Sequence, residues 1–103
     1  MDTYVILRRR GWKSGEEAEA AGARSSRVGD EEMSQDIRWI RTYALAEEDG
    51  TIGSVCIYQA TSPEAIREHA ERAGLPVDEI VRVAATNVVR PDPEPAPAGT
   101  ASR

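Results

Sequence analysis

One cysteine, Cys56, and one histidine, His69, are the residues of this sequence whose types could ligate a metal or form a nucleophile–base pair. His69 falls in a predicted helix, beside the apolar stripe of Ile66, Ala70 and Ala73. Three interpretations of this position stay open: a partly buried residue bonded to a backbone carbonyl, a metal ligand, or a general base.

Alternation along its strand predicts that Cys56 faces away from the helices, whereas His69 lies on one of them. The sheet would then separate the two side chains. A shared site would need a second subunit or the opposite alternation. The sequence contains no Cys-x-x-Cys, His-x-x-x-His or Gly-x-Ser-x-Gly motif that would favour a particular chemistry.

A second set of residues, aromatic and polar, could line a ligand pocket, because apolar walls with a few polar groups are typical of such pockets. The set comprises Tyr4, Trp39, Arg41, Tyr43, Cys56 and Tyr58. Alternation predicts that these residues share the face of the sheet that the helices leave open. The helices would then cover an aliphatic set, which comprises Val5, Leu7, Ile40, Val55 and Ile57.

Six segments must position these side chains. Strands are predicted at residues 3–9, 37–46, 51–59 and 80–84, the last with an extension through 86–89. Helices are predicted at 15–33, with a break, and at 63–73. Ser14 can cap the first helix, while Pro63 starts the second and Gly74 ends it.

The order β-α-β-β-α-β predicts an α+β protein with the ferredoxin-like fold, in which an antiparallel sheet carries both helices on one face. The open aromatic face would need a cover, so we expect a homodimer of the dimeric α/β-barrel type. Residues 1–90 would form this domain. Residues 91–103, rich in proline and acidic residues, would form a disordered tail.

The charge balance argues against some partners. A net charge of −5 argues against nucleic acid. No stretch is long and apolar enough for a membrane span or a signal peptide, and one cysteine allows no internal disulfide, so a cytoplasmic location is expected. The basic run Arg8, Arg9 and Arg10 is interpreted as a solvated strand end, with an anion site as the alternative.

Three stretches together resemble a family of small ferredoxin-like proteins of unknown function, one branch of which is described as nickel-binding. They are residues 37–43, residues 55–60 and residues 65–80, which include His-Ala-Glu-Arg-Ala-Gly-Leu-Pro at 69–76. The resemblance covers about residues 3–86 and implies a ferredoxin-like homodimer. It also implies nickel or another divalent transition metal as a cofactor, with His69 as the candidate ligand and Cys56 at a position that could join it. The nickel-binding branch carries histidines on its first strand, where this chain has Arg8, Arg9 and Arg10.

These observations favour a small dimeric binding module. It would hold an apolar or aromatic molecule between two sheets, with Trp39, Tyr43 and Tyr58 as walls and Arg41 against an anionic group. Weak nickel binding is a further expectation from the resemblance. A cofactor-free enzyme of the isomerase or cyclase type, using the same pocket, is the alternative, and a purely structural role is the third.

Overall fold

The computed structural model describes residues 1–94, which form four strands, two α-helices and a π-helical turn. The strands are β1 (Asp2–Trp12), β2 (Ile37–Ala46), β3 (Ile52–Ala60) and β4 (Glu79–Arg82). The helices are α1 (Gly15–Arg27) and α2 (Pro63–Ala73), and the π-helical turn (Val28–Glu32) continues α1.

The strands form one antiparallel sheet in the order β2-β3-β1-β4, and both helices pack on the same face of it. This arrangement is compatible with the ferredoxin-like fold and confirms the predicted α+β class. None of the helices within residues 1–94 is long and apolar enough to span a bilayer.

Helix α1 begins with a reciprocal cap. The Glu17 amide donates to Ser14 Oγ at 3.2 Å, and the Lys13 amide donates to Glu17 Oε1 at 3.0 Å. At the other end the helix does not break as predicted. It widens into the π-helical turn, where the Met33 amide donates to the carbonyl of Val28 at 3.0 Å.

Helix α2 has the predicted bounds. Ser62 Oγ accepts from the Ala65 amide at 3.1 Å, and Pro63 starts the helix. Gly74 ends it in the left-handed region at φ 68°, and the Leu75 amide then donates to the Ala70 carbonyl at 2.8 Å. This cap directs the following residues along the sheet toward β4.

Strand β4 is shorter than predicted, and residues 86–89 do not extend it. It pairs only with β1, and the last contact with that strand runs from the Val83 amide to the Thr3 carbonyl at 2.8 Å. Of the predicted tail, residues 91–94 are described and Asp92 contacts the sheet. The remaining residues, 95–103, lie outside the described part, so their predicted disorder stays a prediction.

The prediction of which residues the helices cover is wrong. Tyr4, Ile6, Cys56 and Tyr58 are at most 5% exposed and belong to the core beneath the helices. The aliphatic residues that alternate with them on β1 and β3 are only half-buried, on the outer face. Both sets on these strands are apolar, so alternation separated them correctly but could not tell which one lies inside.

A β-bulge in β2 divides the predicted aromatic set again. Trp39 pairs with Tyr58, but the register shifts before Arg41, which pairs with Ile57. Trp39 therefore lies on the helix side of the sheet. Arg41 and Tyr43 lie on the outer face.

Candidate functional site

A cavity of about 320 Å³ lies between α1 and the helix-facing side of the sheet. Its walls are almost entirely apolar and include both tryptophans of the chain, Trp12 and Trp39. Ala18, Ala21 and Gly22 form the α1 side, where small side chains leave the space open. The lining residues from β2 are exposed, so the cavity opens to solvent beside this edge strand.

The floor of the cavity is a set of neighbouring polar residues on β2 and β3. Trp39 Nε1 donates to Thr42 Oγ1 at 2.7 Å, and Thr42 Oγ1 donates to Cys56 Sγ at 3.2 Å. Ser54 Oγ lies 3.5 Å from the same sulfur. The Cys56 thiol is therefore buried among hydroxyl groups.

Arg8 lies at the end of this floor, opposite Ser54 in the register of β1 and β3. Arg8 is 1% exposed and lines the cavity. Nη1 donates to the Pro76 carbonyl at 2.7 Å, whereas Nη2 has no hydrogen-bond partner among the described residues.

Tyr58 connects the cavity to the helices. Its ring stacks on Trp39 with a centroid distance of 6.1 Å, and its hydroxyl lies 2.7 Å from Ser25 Oγ on α1. Burial raises the pKa of the Tyr58 phenol, and the Ser25 hydrogen bond opposes that shift. The phenol is therefore neutral at pH 7.

His69 lies on the other side of Tyr58, with the ring centroids 5.4 Å apart. Its Nε2 is 3.0 Å from the Ser25 carbonyl, and a carbonyl only accepts, so Nε2 carries the proton. Nδ1 is buried without a partner among residues 1–94. Burial lowers the pKa of His69, so the ring is neutral. Of the three interpretations of His69, this position fits the buried residue bonded to a backbone carbonyl.

A second, more polar cleft of about 300 Å³ lies beneath the π-helical turn. Ser25, Tyr58 and His69 border it from the core, and Asp30 and Arg38 border it from the surface. Ser25, Trp39 and Tyr58 line both spaces, so these three residues lie between the apolar cavity and this polar cleft.

Cys56 and His69 lie on the same side of the sheet, which corrects the prediction that the sheet separates them. Cys56 is two residues before Tyr58 on β3, and His69 packs against Tyr58. Within residues 1–94, however, no three His, Cys, Asp or Glu side chains are grouped so that they could hold a metal ion. The residues present do not fit a nickel centre built by one subunit.

The six predicted pocket residues divide between the two faces of the sheet. Cys56, Tyr58 and Trp39 line the cavity, while Tyr4 is buried in the core behind it. On the outer face, Arg41 Nη1 and the Tyr43 hydroxyl each donate to Asp92 Oδ2 at 2.7 Å. Arg41 and Tyr43 therefore contact the C-terminal segment and not the cavity.

Trp12 and Ser25 line the site without having been predicted, and Arg8 was considered only within the basic run, for which an anion site was the alternative. Arg8 stands two residues after the buried Ile6, so correct face assignment would have placed it inside. Trp12 follows an irregularity in β1, the second in the sheet after the bulge in β2, where the pairing with β3 shifts between Arg8 and Trp12. Nothing in the sequence marked Ser25 as a site residue except its place in a helix with many small side chains.

The model of a protein family described as nickel responsive protein SCO4226-like matches residues 4–83, which is most of the chain. The chain belongs to the SCO4226-like family. No curated protein matches the sequence.

A solved structure with a similar fold is that of SCO4226 from Streptomyces coelicolor A3(2). The two chains are 22% identical, and the match covers 82% of this chain and 99% of SCO4226 with a TM-score of 0.65. At this identity the likeness concerns the fold. This member of the SCO4226-like family therefore shares its fold with a protein of known crystal structure.

Proposed function

We propose that this protein is a small-molecule binding module whose ligand occupies the cavity between α1 and the sheet. The observation that carries the proposal is the cavity itself, about 320 Å³ of apolar-walled space that reaches a buried polar floor. Protein interiors are otherwise close-packed, and an opening of this size within reach of a domain core is what small-ligand sites require.

The walls indicate the kind of ligand. Trp12 and Trp39 offer flat aromatic surfaces, and Ile52 and Leu75 add aliphatic ones. An apolar or aromatic molecule would exchange contact with water for contact with these side chains. Entry would take place beside β2, where the cavity opens.

The two tryptophans make the proposal directly testable, because both line the cavity and the sequence contains no other. A neutral fluorescent probe, N-phenyl-1-naphthylamine, should bind with increased emission and quench tryptophan fluorescence by energy transfer. Native mass spectrometry of protein purified from its own host should show a bound small molecule. Absence of both signals would count against the proposal.

Gly22→Leu is the variant that tests the location. A Cβ at position 22 would meet Trp39 at 3.7 Å, an ordinary contact, and a leucine side chain would then fill the space beneath α1. Leucine also favours the helix by about 0.5–1 kcal/mol over glycine, so the variant should be at least as stable as the parent. Probe affinity should fall about tenfold or more.

Ala20→Leu, at an exposed position of the same helix, is the control and should bind the probe as the parent does. Equal probe binding by Gly22→Leu and the parent would place the ligand elsewhere.

The family's description as nickel responsive suggests a metal-related role, but this chain contains only one histidine and one cysteine that could ligate the metal. His69 uses Nε2 as a donor to Ser25, and Cys56 contacts hydroxyl groups and belongs to no group of three ligating side chains within residues 1–94. Calorimetric titration with Ni²⁺ should therefore show no tight site in this chain. Tight uptake that His69→Ala abolishes would restore the metal role.

Pairing of two copies through the outer face of the sheet is the second part of the proposal. Ile40 and Val81 on this face are 44% and 48% exposed, next to half-buried aliphatic residues of β1 and β3. A second sheet would bury this strip. Light scattering after size-exclusion chromatography should give twice the mass of one chain, and Val55→Glu should return the protein to a single chain.

A further inference from the structure

Arg8 differs from the ion-paired arginines of the protein in the groups that surround its charge. Six arginines within residues 1–94 form ion pairs with acidic side chains: Arg9, Arg10, Arg27, Arg41, Arg67 and Arg72. All six keep substantial solvent exposure. Arg8 is 1% exposed and forms no such pair with any described residue.

The guanidinium of arginine keeps its proton in proteins, so Arg8 is a buried cation. One backbone carbonyl, that of Pro76, accepts from Nη1, and Nη2 has no hydrogen-bond acceptor in the part of the chain that the structure describes. A buried charge is strongly unfavourable unless an opposite charge and hydrogen bonds compensate it. The fold of the free protein leaves that compensation incomplete.

Arg8 is also part of the cavity wall, at the end of the polar floor formed by Ser54 and Cys56. Most of the other lining residues are apolar and include Trp12 and Trp39, while the acidic Glu19 lies at an exposed position of α1 on the cavity rim. The Arg8 guanidinium is enclosed in the free protein, so a turn of its side chain would bring it to one end of a molecule that fills this space, with aromatic surfaces along the body of that molecule. A ligand that matches this site has an apolar body and an anionic group at one end.

We infer that the cavity binds an organic acid with an apolar body and one carboxylate, and that the carboxylate pairs with the Arg8 guanidinium. The inference rests on the proposed ligand-binding function and names its ligand class. The planar fork of arginine matches a carboxylate in two parallel hydrogen bonds, and its long side chain can turn Nη2 toward the ligand. A dianionic phosphate would leave a second charge uncompensated among apolar walls.

A matched pair of ligands tests the inference, namely 4-phenylbutanoate and its neutral amide, 4-phenylbutanamide. Titration at pH 7.5, followed by tryptophan emission, should show the acid binding about tenfold or more tightly than the amide, because an ion pair with the buried guanidinium adds to the shared apolar contacts. Arg8→Met should lose this preference while its affinity for the amide stays within about twofold of the parent's. The control Arg41→Met, on the outer face, should keep the preference. Acetate, which has the carboxylate without the body, should not displace the acid at equal concentration.

Three results would overturn the inference: equal affinity of the parent for acid and amide, an unchanged preference in Arg8→Met, or displacement by acetate. The preference of the parent protein decides the matter even where Arg8→Met fails to fold, and Arg8→Lys then serves as the variant that keeps the charge. If the neutral naphthylamine probe binds and Gly22→Leu blocks it, but the acid does not bind, the binding function stands and the ligand class falls. If the naphthylamine probe, the acid and the amide all fail to bind, the binding function itself falls.

Discussion

Each face of the sheet carries an arginine and a tyrosine, but the two faces differ in how exposed these residues are and in what they bind. On the outer face, Arg41 is exposed and paired with Asp92, and a tyrosine shares that carboxylate. On the helix-covered face, Arg8 is buried and forms no ion pair within residues 1–94, and the Tyr58 hydroxyl is hydrogen-bonded to Ser25 in the core. The half-buried aliphatic residues of β1 and β3 lie on the outer face, whereas Arg8, Cys56 and Tyr58 of the same strands lie beneath the helices, beside apolar core residues such as Ile6 and Ile66.

This inversion is unfavourable for a domain of this size, since polar groups in the core add little to stability even when they are bonded. A core designed for stability alone would place the aliphatic residues beneath the helices. The arrangement is better explained by a requirement for polar groups beside a cavity, which is the pattern of a binding site. The difference between the faces therefore supports function in the covered one.

The largest expected effect compares one isoleucine from each face. Ile6→Ala removes a side chain that is 0% exposed beneath the helices and should lower the free energy of unfolding by about 2–5 kcal/mol. Ile40→Ala removes one that is 44% exposed on the outer face, and its effect should stay under about 1 kcal/mol. Urea denaturation monitored by circular dichroism measures both.

A large effect of Ile40→Ala would change the interpretation of the outer face. If that effect grows with protein concentration, a second copy covers the face, and the proposed pairing gains support. If it is large at every concentration, the outer face is part of a core within the single chain, and the contrast between the faces is lost.

A smaller effect is expected for the two arginines. Arg8→Met replaces a buried cation without an acid by an apolar side chain of similar length, and should leave stability unchanged or raise it by about 1–3 kcal/mol in the absence of ligand. Arg41→Met breaks an exposed ion pair and should change stability by no more than about 1 kcal/mol. Thermal unfolding of ligand-free protein measures both. A marked loss of stability in Arg8→Met would mean that its bond to Pro76 holds the fold, and that the guanidinium is structural.

The order and type of the elements could be predicted from local signals. The cap at Ser62 and Pro63, and the glycine at position 74, determine the bounds of α2 by chemistry within one turn of the chain. Strand β2 likewise begins and ends where its composition indicates. These features depend on neighbours in sequence, so one sequence suffices to identify them.

The candidate site could be predicted only in part: Trp39, Cys56 and Tyr58 line it as expected, whereas its position depends on which face the helices cover and on a bulge. Both alternating sets on β1 and β3 are apolar, so hydrophobicity favours neither. The bulge before Arg41 separates Trp39 from Tyr43, although their spacing of four puts them on one face of a regular strand. The charge of Arg8 favoured a solvated position, whereas the structure buries this residue beside the cavity.

The smallest expected effect concerns pH and belongs to the covered face alone, since His69 is the single histidine of the sequence. Burial lowers the pKa of its ring in the folded protein, and the charge of Arg8 adds to that shift. The unfolded chain therefore binds a proton more readily, and stability should be full above the ordinary histidine pKa of about 6.5 and decline as pH falls below it. Denaturant midpoints between pH 8 and pH 5 measure the decline, and His69→Gln should make them independent of pH over that range. An unchanged slope in the variant would assign the effect to other groups and would leave His69 as neutral packing between Tyr58 and α1.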